Sequence, residues 1–526
     1  MCINKAIQFC DFKSFYDKYK PLTPYGYAHK ESMPFYKQAD DLDAIHQSVD
    51  TWINFINEHQ NSTLKVVHHL SRIDKLNTLD KKDYDIADLQ LIKKFLIHTK
   101  AIEQYLPIDI AKSASIAFQT HSLLNILMPD DDKTESFHLS SAFDPQLQKV
   151  REQICQADQT INNLRIEAHK QLLDKLGFDF SNRDFILVDK KQLPANGSPL
   201  LLAELYDSKL IKLRVAFDKT YMDAQMLKEQ LLNEESEIEK RVLKSISEAV
   251  RKQAPQLLKD IDTITQLDVH LAMAQLSVQL QLLKPNYRAE TIVVDEGIYY
   301  PLFERHQQKD LRYTPLRASF GSNAILLSGS NMGGKTVLFK TIAFLQLLTQ
   351  MGFRVPAQAY ATKLFDEIQV LGTTDKAAIE GLSSFGQEIH QLSAGLTKGQ
   401  SRLLLVDELA KTTNATEAKA ILVAVLKFIS QQPLITGFFS THFINIPHLD
   451  GVIKYRMRGL DKEAFQRHCH EQTSDINDKI RQINAYMQYE LKPDEGVNHS
   501  HDALTIANML GLQAEIIDYA NDYLDK

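Results

Sequence analysis

Gly329-Ser330-Asn331-Met332-Gly333-Gly334-Lys335-Thr336 stands between the apolar run Ala324-Ile-Leu-Leu327 and the apolar stretch Val337 to Met351, and its reading decides the fold of the C-terminal half. The flanks predict a short strand before it and a helix after it. A triphosphate needs many donors within a small radius. A glycine-rich turn lets successive backbone N–H groups point inward, because no Cβ blocks the approach. The following helix adds its free N-terminal N–H groups and the positive end of its dipole. At this spacing Lys335 reaches the β- and γ-phosphates of ATP, and Thr336 places its hydroxyl on Mg²⁺. A chance match in a glycine-containing loop would lack the strand on one side and the helix on the other.

Working outward, Arg402-Leu-Leu-Leu-Val-Asp407 reads as a second buried strand and Thr416 to Ser430 as a second helix. Ile435-Thr-Gly-Phe-Phe-Ser-Thr-His442 reads as a third strand. Strands alternating with helices from about Asp295 predict a parallel sheet with helices packed on it. In such a site Asp407 holds the metal shell and Glu408 polarises the attacking water. The blander reading of the pair is a helix N-terminal acidic couple favoured by the dipole. His442, at the C-terminal edge of the sheet, faces the same crevice and is placed to sense the γ-phosphate; a structural histidine is the alternative. Gly381-Leu-Ser383-Ser384-Phe385-Gly-Gln-Glu388 consists of ordinary loop residues, and only its place between the two motifs lends it meaning.

The rest of the chain bounds the possibilities. Its 526 residues leave room for about three domains. A net charge of −7 gives no whole-chain support for a dedicated nucleic-acid binder. Cys2, Cys10, Cys155 and Cys469 form no Cys-x-x-Cys pair, so reduced thiols in a cytoplasm are expected. The N-terminus lacks a long apolar core, and no run of about 18 apolar residues occurs, so neither a signal peptide nor a membrane span is expected. Leu89 to His98, Ile116 to Leu127 and Val150 to Leu176 carry helical spacing, and glycine is absent from residues 27 to 176. Asp184 to Asp189, Leu200 to Tyr206 and Leu210 to Phe217 look like strands, with Asn196-Gly197 as a turn. Tyr221 to Val250 returns to a charged helix with Leu227, Leu231, Ile238, Val242 and Ile246 along one side. Trp52, Phe15, Tyr16 and Tyr19 read as helix-packing residues. His468-Cys469-His470 and His499-Ser-His501 lack a standard zinc spacing and read as exposed polar chain.

The order and wording of these motifs resemble the ATPase domain of the MutS family, a branch of the ABC ATPases. The family loop reads Gly-Pro-Asn-Met-Gly-Gly-Lys-Ser/Thr, and this chain departs from it at Ser330. Met351-Gly-Phe-Arg-Val-Pro-Ala357, Ser383-Ser384-Phe385 with Glu388, Asp407-Glu408, Ser440-Thr441-His442 and Glu296-Gly-Ile-Tyr-Tyr-Pro301 resemble further family elements. The resemblance implies a dimer in which Ser383 completes the partner's nucleotide site. It implies an aromatic stacked on adenine near Leu311, for which Tyr313 is the candidate substitute. Ser500 to Leu512 resembles the family's helical dimerisation segment, and Thr23-Pro-Tyr-Gly26 with the helices after it resembles the core and lever region.

The expected fold class is α plus α/β. A helical core/lever domain spans 1–290, with a small β clamp-like insertion near 183–220. An ABC-type P-loop ATPase domain spans 291–496, and a helical dimerisation tail spans 497–526. By the same resemblance, no counterpart of the mismatch-reading and connector domains of repair members is expected in this sequence. Lys190, Lys191, Lys209, Lys212 and Arg214 on the insertion are nearly offset by Asp184, Asp189, Glu204 and Asp207, which reads as a solvated surface or as a phosphate-binding face. Repair members follow Asp-Glu with x-Gly-Arg-Gly-Thr; here Leu409-Ala410-Lys411-Thr412-Thr413-Asn414 replaces both glycines. That string resembles the ATPase subunit of reactivases that act on cobalamin-dependent lysine or ornithine aminomutases. Two expectations therefore stand side by side: a homodimer acting on DNA other than by mismatch reading, and an ATPase that remodels an aminomutase or its accessory subunit.

Overall fold

The computed structural model describes residues 2–77, 79–130, 134–180, 183–193, 198–329, 333–372, 383–397, 399–410, 413–443, 445–461, 486–494 and 502–524. It mixes helix and sheet, and the chain divides into two compact units. One is formed by Met1–Val67, Pro107–Ile116 and Thr265–Lys526, the other by His68–Leu106 and Ala117–Ile264.

The second unit is helical with one small sheet. The helix Pro145–Leu176 starts where the Asp144 side chain accepts from the Gln146 amide, with proline in the first turn, and ends at Gly177 with φ 72°. Strands β1 (Ile186–Asp189), β2 (Leu201–Leu205) and β3 (Leu210–Val215) pair antiparallel in the order β1-β3-β2. Alternation sends Leu213 and Val215 inward onto Val188, Leu172 and Phe180, and leaves Arg214 exposed. The Asn196-Gly197 turn lies outside the described residues.

Two helix expectations change here. Within Ile116 to Leu127 only Ser122–Leu127 is helical, because the buried Asp260 carboxylate accepts from the amides of Gln119 (3.0 Å) and Thr120 (3.1 Å) and holds the preceding segment open. The helix expected over Tyr221 to Val250 runs on as a single 61-residue helix, Lys219–Gln279, and the boundary between the units falls inside it. Leu231, Ile238, Val242 and Ile246 are buried along it, while Leu227 is 51% exposed.

The first unit holds the α/β part. Strands β4 (Ile292–Gly297), β5 (Leu316–Phe320) and β7 (Ala359–Ala361) form an antiparallel sheet in the order β5-β4-β7. A larger sheet takes β6 (Ala324–Ser328), β8 (Glu367–Leu371), β9 (Arg402–Val406), β10 (Ile435–Ser440), β11 (Val452–Leu460) and β12 (Met487–Pro493), in the order β12-β11-β6-β10-β9-β8. All its pairings are parallel except that of β12 with β11. Its central strands are apolar on both faces, as a sheet covered on both sides requires. One face, through Leu326, Leu404, Val406 and Phe439, packs on the helices Ser384–Gly395 and Ala415–Ser430. The alternate residue Phe438 meets Phe339 of the helix Lys335–Gln350, at 6.4 Å between ring centroids.

The helices that open this unit dock on the same region. Phe15 sits edge-on to Phe344 and Tyr19 edge-on to Phe353, so these aromatics are core, as is Trp52. The buried Asp268 accepts from the amides of Leu22 and Thr23, both at 2.8 Å, and from the Thr23 hydroxyl. Thr23 in turn caps the helix Pro24–Ser32. A Cβ on Gly26 would meet Asp268 at 2.1 Å, which accounts for the glycine in Thr23-Pro-Tyr-Gly26.

Candidate nucleotide site

Parallel pairing brings the carboxyl ends of β6, β9 and β10 to one edge of the sheet, and the candidate residues leave from that edge. After β6 the backbone enters the glycine-rich turn with φ 128° at Gly329, and Gly334, at φ 91°, opens the helix Lys335–Gln350. Ser330, Asn331 and Met332 lie outside the described residues; Gly333 is buried. The Lys335 ammonium folds back over the turn and donates to the Gly329 carbonyl at 2.6 Å. Burial pulls its pKa below the usual lysine range, against the opposing pull of Glu408 and Asp407.

The acidic strand meets this turn directly. Thr336 Oγ1 donates to Asp407 Oδ2 at 2.9 Å, and Ser440 Oγ donates to Asp407 Oδ1 at 2.6 Å. The same Ser440 hydroxyl accepts from the Glu408 amide at 2.9 Å. Ser440 is fully buried, so it fixes Asp407 Oδ1 and the start of the next turn from inside the sheet. Gly372, at φ 88°, passes so close beneath that a Cβ would sit 2.0 Å from the Asp407 carbonyl oxygen. Thr336 is exposed, and Asp407 and Glu408 are half-buried, so the carboxylates are open to a ligand.

His442 follows β10 by two residues, is exposed, and lies with its ring 4.7 Å from Phe443. Ser383 is exposed and caps the helix Ser384–Gly395, accepting from the Gly386 amide at 3.2 Å. On that helix Glu388 Oε1 accepts from the Ala410 amide at 3.0 Å.

A cavity of about 770 Å³ opens beside Gly334 and Thr336. Its wall includes His306, Leu311, Tyr313 and, from the two C-terminal strands of the large sheet, Met457 and Tyr489. Tyr313 is anchored rather than free to swing: its hydroxyl accepts from the Tyr299 amide at 2.8 Å, and its ring stands edge-on to Phe303 and His306. Burial pushes its pKa up to about 12.

Residues 325–526 match the family model for MutS domain V, which takes in the glycine-rich turn, the acidic strand and the strand bearing Ser440. By that match residues 325–526 form a domain of the MutS domain V type. Endonuclease MutS2 of Caldanaerobacter subterraneus subsp. tengcongensis is 25% identical over 302 residues, covering 57% of this chain and 35% of the relative. DNA mismatch repair protein MutS of Geobacillus thermodenitrificans is 24% identical over 344 residues, covering 64% and 34%. MutS protein homolog 4 of Homo sapiens is 28% identical over 197 residues, covering 37% and 21%. The chain thus spans about a third or less of the length of these relatives.

Several residues of this MutS-type site were not singled out from the sequence. Tyr489 and Met457 come from β12 and β11, whose pairing is set by long-range contacts rather than by a local motif. Gly372 carries no motif at all. Ser440 enters the sequence pattern only through Ser440-Thr441-His442, although a hydroxyl at the end of an apolar strand is itself a signal for a buried hydrogen bond. Among the described residues no group of three or more His, Cys, Asp and Glu could hold a metal, and no helix is long and apolar enough to cross a membrane. His468, Cys469, His470, His499 and His501 lie outside the described residues.

Proposed function

We propose that this MutS-family chain binds ATP and hydrolyses it with Mg²⁺ at sites shared between two copies, and that it acts on DNA other than by reading mismatches directly. The observation that carries the reading is the convergence of Thr336 and Ser440 on Asp407, whose two carboxylate oxygens accept from their hydroxyls at 2.9 and 2.6 Å. Two oxygen donors from separate elements, one neutral and one anionic, suit a hard octahedral cation such as Mg²⁺. Thr336 and Asp407 would hold that ion, which when bound neutralises charge between the β- and γ-phosphates.

Gly329 to Thr336, with Ser330, Asn331 and Met332, forms the phosphate cradle. Lys335 exchanges its bond to the Gly329 carbonyl for the β- and γ-phosphate oxygens. Glu408 orients the attacking water and accepts its proton as the bond to the γ-phosphorus forms and the β–γ bridge breaks. His442 senses the γ-phosphate, and Ser383 reaches the partner's nucleotide. Tyr313 forms the floor of the base pocket in the cavity beside Thr336. The domain organisation in this reading is core/lever over 1–290, ATPase over 291–496 and dimerisation tail over 497–526.

Relatives named for mismatch repair and as an endonuclease support DNA as the target. The Asp407 to Asn414 string supports the second reading, a protein target of the aminomutase class. The test measures ATP turnover alone, with branched and single-stranded DNA at low and high salt, and with the candidate protein. DNA that stimulates turnover in a salt-sensitive way, with turnover lost in Glu408→Gln, supports the first reading. Turnover indifferent to every DNA at low salt overturns it and leaves the protein target. A chain without Glu408-dependent turnover overturns both.

A further inference from the structure

The turn after β9 is strained. Glu408 has φ 57° and Ala410 φ 59°, a region that costs an L-residue free energy and that glycine enters without penalty. Such conformations persist where the surroundings over-determine them. Here two side chains do so: Ser440 accepts from the Glu408 amide, and Glu388 accepts from the Ala410 amide at 3.0 Å. Leu409 and Ala410 are buried beneath them, so the turn has one place to sit. Ser440 belongs to the sheet that carries the acidic pair. Glu388 belongs to another element, the helix Ser384–Gly395, whose capping residue is Ser383. A carboxylate accepting from a backbone amide is a strong bond of its class, and it joins two elements that otherwise serve different sites.

We propose that Glu388 is a positioning residue: by holding the Ala410 amide it locks the Glu408 turn to the helix that presents Ser383, so that the site a chain builds and the site it completes on its partner shift as one body. This rests on the shared-site reading above. Nucleotide held in a chain's own site fixes the Glu408 turn, Glu388 carries that position to the helix, and Ser383 is set for the partner.

The test uses full-length chains with two different tags, purified as mixed pairs. One chain carries Glu408→Gln, so single-turnover hydrolysis reports the other chain's site, which takes its serine from the first. Adding Glu388→Ala to the Glu408→Gln chain is expected to lower the single-turnover rate at the partner's site about tenfold, while the ATP dependence shifts less than about twofold, since the hydrolysing chain keeps its own phosphate cradle. Glu388→Gln, which retains an acceptor oxygen at the same reach, is expected to recover most of that loss. Glu388→Asp, which withdraws the acceptor, is not, and it serves in place of alanine if the alanine chain does not fold. Ser383→Ala in the same chain is the control. A loss with Ser383→Ala and none with Glu388→Ala or Glu388→Asp overturns the role of Glu388. No loss with Ser383→Ala overturns the shared-site reading itself.

Discussion

Thr336 and Asp407, 71 positions apart in the chain, meet through a 2.9 Å hydrogen bond from the Thr336 hydroxyl to Asp407 Oδ2. One stands in the first turn of a helix and the other ends a strand. Only the parallel stacking of β6, β10 and β9 brings the two ends to one edge. The contact keeps a hydroxyl and a carboxylate oxygen side by side at the sheet edge, as the proposed metal site requires.

Removing either partner tests that chemistry. Thr336→Ala and Asp407→Asn are each expected to lower kcat for ATP hydrolysis by about 100-fold or more, a loss of the size seen when one electrostatic stabiliser is removed. Asp407→Asn is also expected to shift the Mg²⁺ dependence upward. Titrating Mg²⁺ at saturating ATP checks both, and wild-type turnover in either variant would remove the pair from the mechanism.

Ser440→Ala separates positioning from chemistry. It deletes a hydroxyl that donates to Asp407 and accepts from the Glu408 amide, both at buried distances. Leaving a buried amide unsatisfied costs about 1–3 kcal/mol. The expected result is a lower unfolding midpoint, with kcat down about tenfold and KM nearly unchanged. Ser440→Thr, with its extra methyl at a site of 0% exposure, is expected to rescue less well than its hydroxyl alone suggests.

Gly372→Ala should be among the most damaging single changes near the site. The residue has φ 88°, and the new Cβ would lie 2.0 Å from the Asp407 carbonyl oxygen. Both the backbone strain and the clash with main chain act in the same direction, so a loss above about 3 kcal/mol is expected. Urea unfolding measures it; a variant within about 0.5 kcal/mol of wild type, on the scale of ordinary surface changes, would show that β8 and β9 can separate at this point.

His46 gives a pH prediction. It is fully buried, neither ring nitrogen has a hydrogen-bond partner, and it stacks on Tyr287. Burial, helped by Lys284 and Arg354, pulls its pKa down to about 4. The unfolded chain takes up the proton near 6.5, the fold only near 4, so the fold loses stability as pH falls through that window. The loss is on the order of 3 kcal/mol at full extent. His98 and His270, pulled down to about 4 chiefly by burial, add to the same slope. His46→Phe is expected to flatten part of the fall between pH 6.5 and 4 without lowering stability at pH 7. Thermal midpoints across that range decide it, and an unchanged slope would mean that His46 takes up its proton at the same pH in the folded and the unfolded chain.

Local pattern carried much of this protein. The apolar runs at Ala324, Arg402 and Ile435 became central strands, because a strand covered on both faces needs an unbroken apolar run and little else. The glycines of the turn after β6 were legible because left-handed backbone and close approach leave few other choices. What only the tertiary structure decided lies in contacts between distant segments. Asp260 opened a stretch whose helical spacing was sound, since a buried carboxylate with three donors outweighs one turn of helix. Tyr489 reached the cavity beside Thr336 from a strand that has no motif. Ala410 took a glycine-like conformation because Glu388, 22 positions earlier, accepts its amide. Sequence spacing reports the needs of a single element. The bonds that position one element against another are made between residues whose nearness exists only after folding.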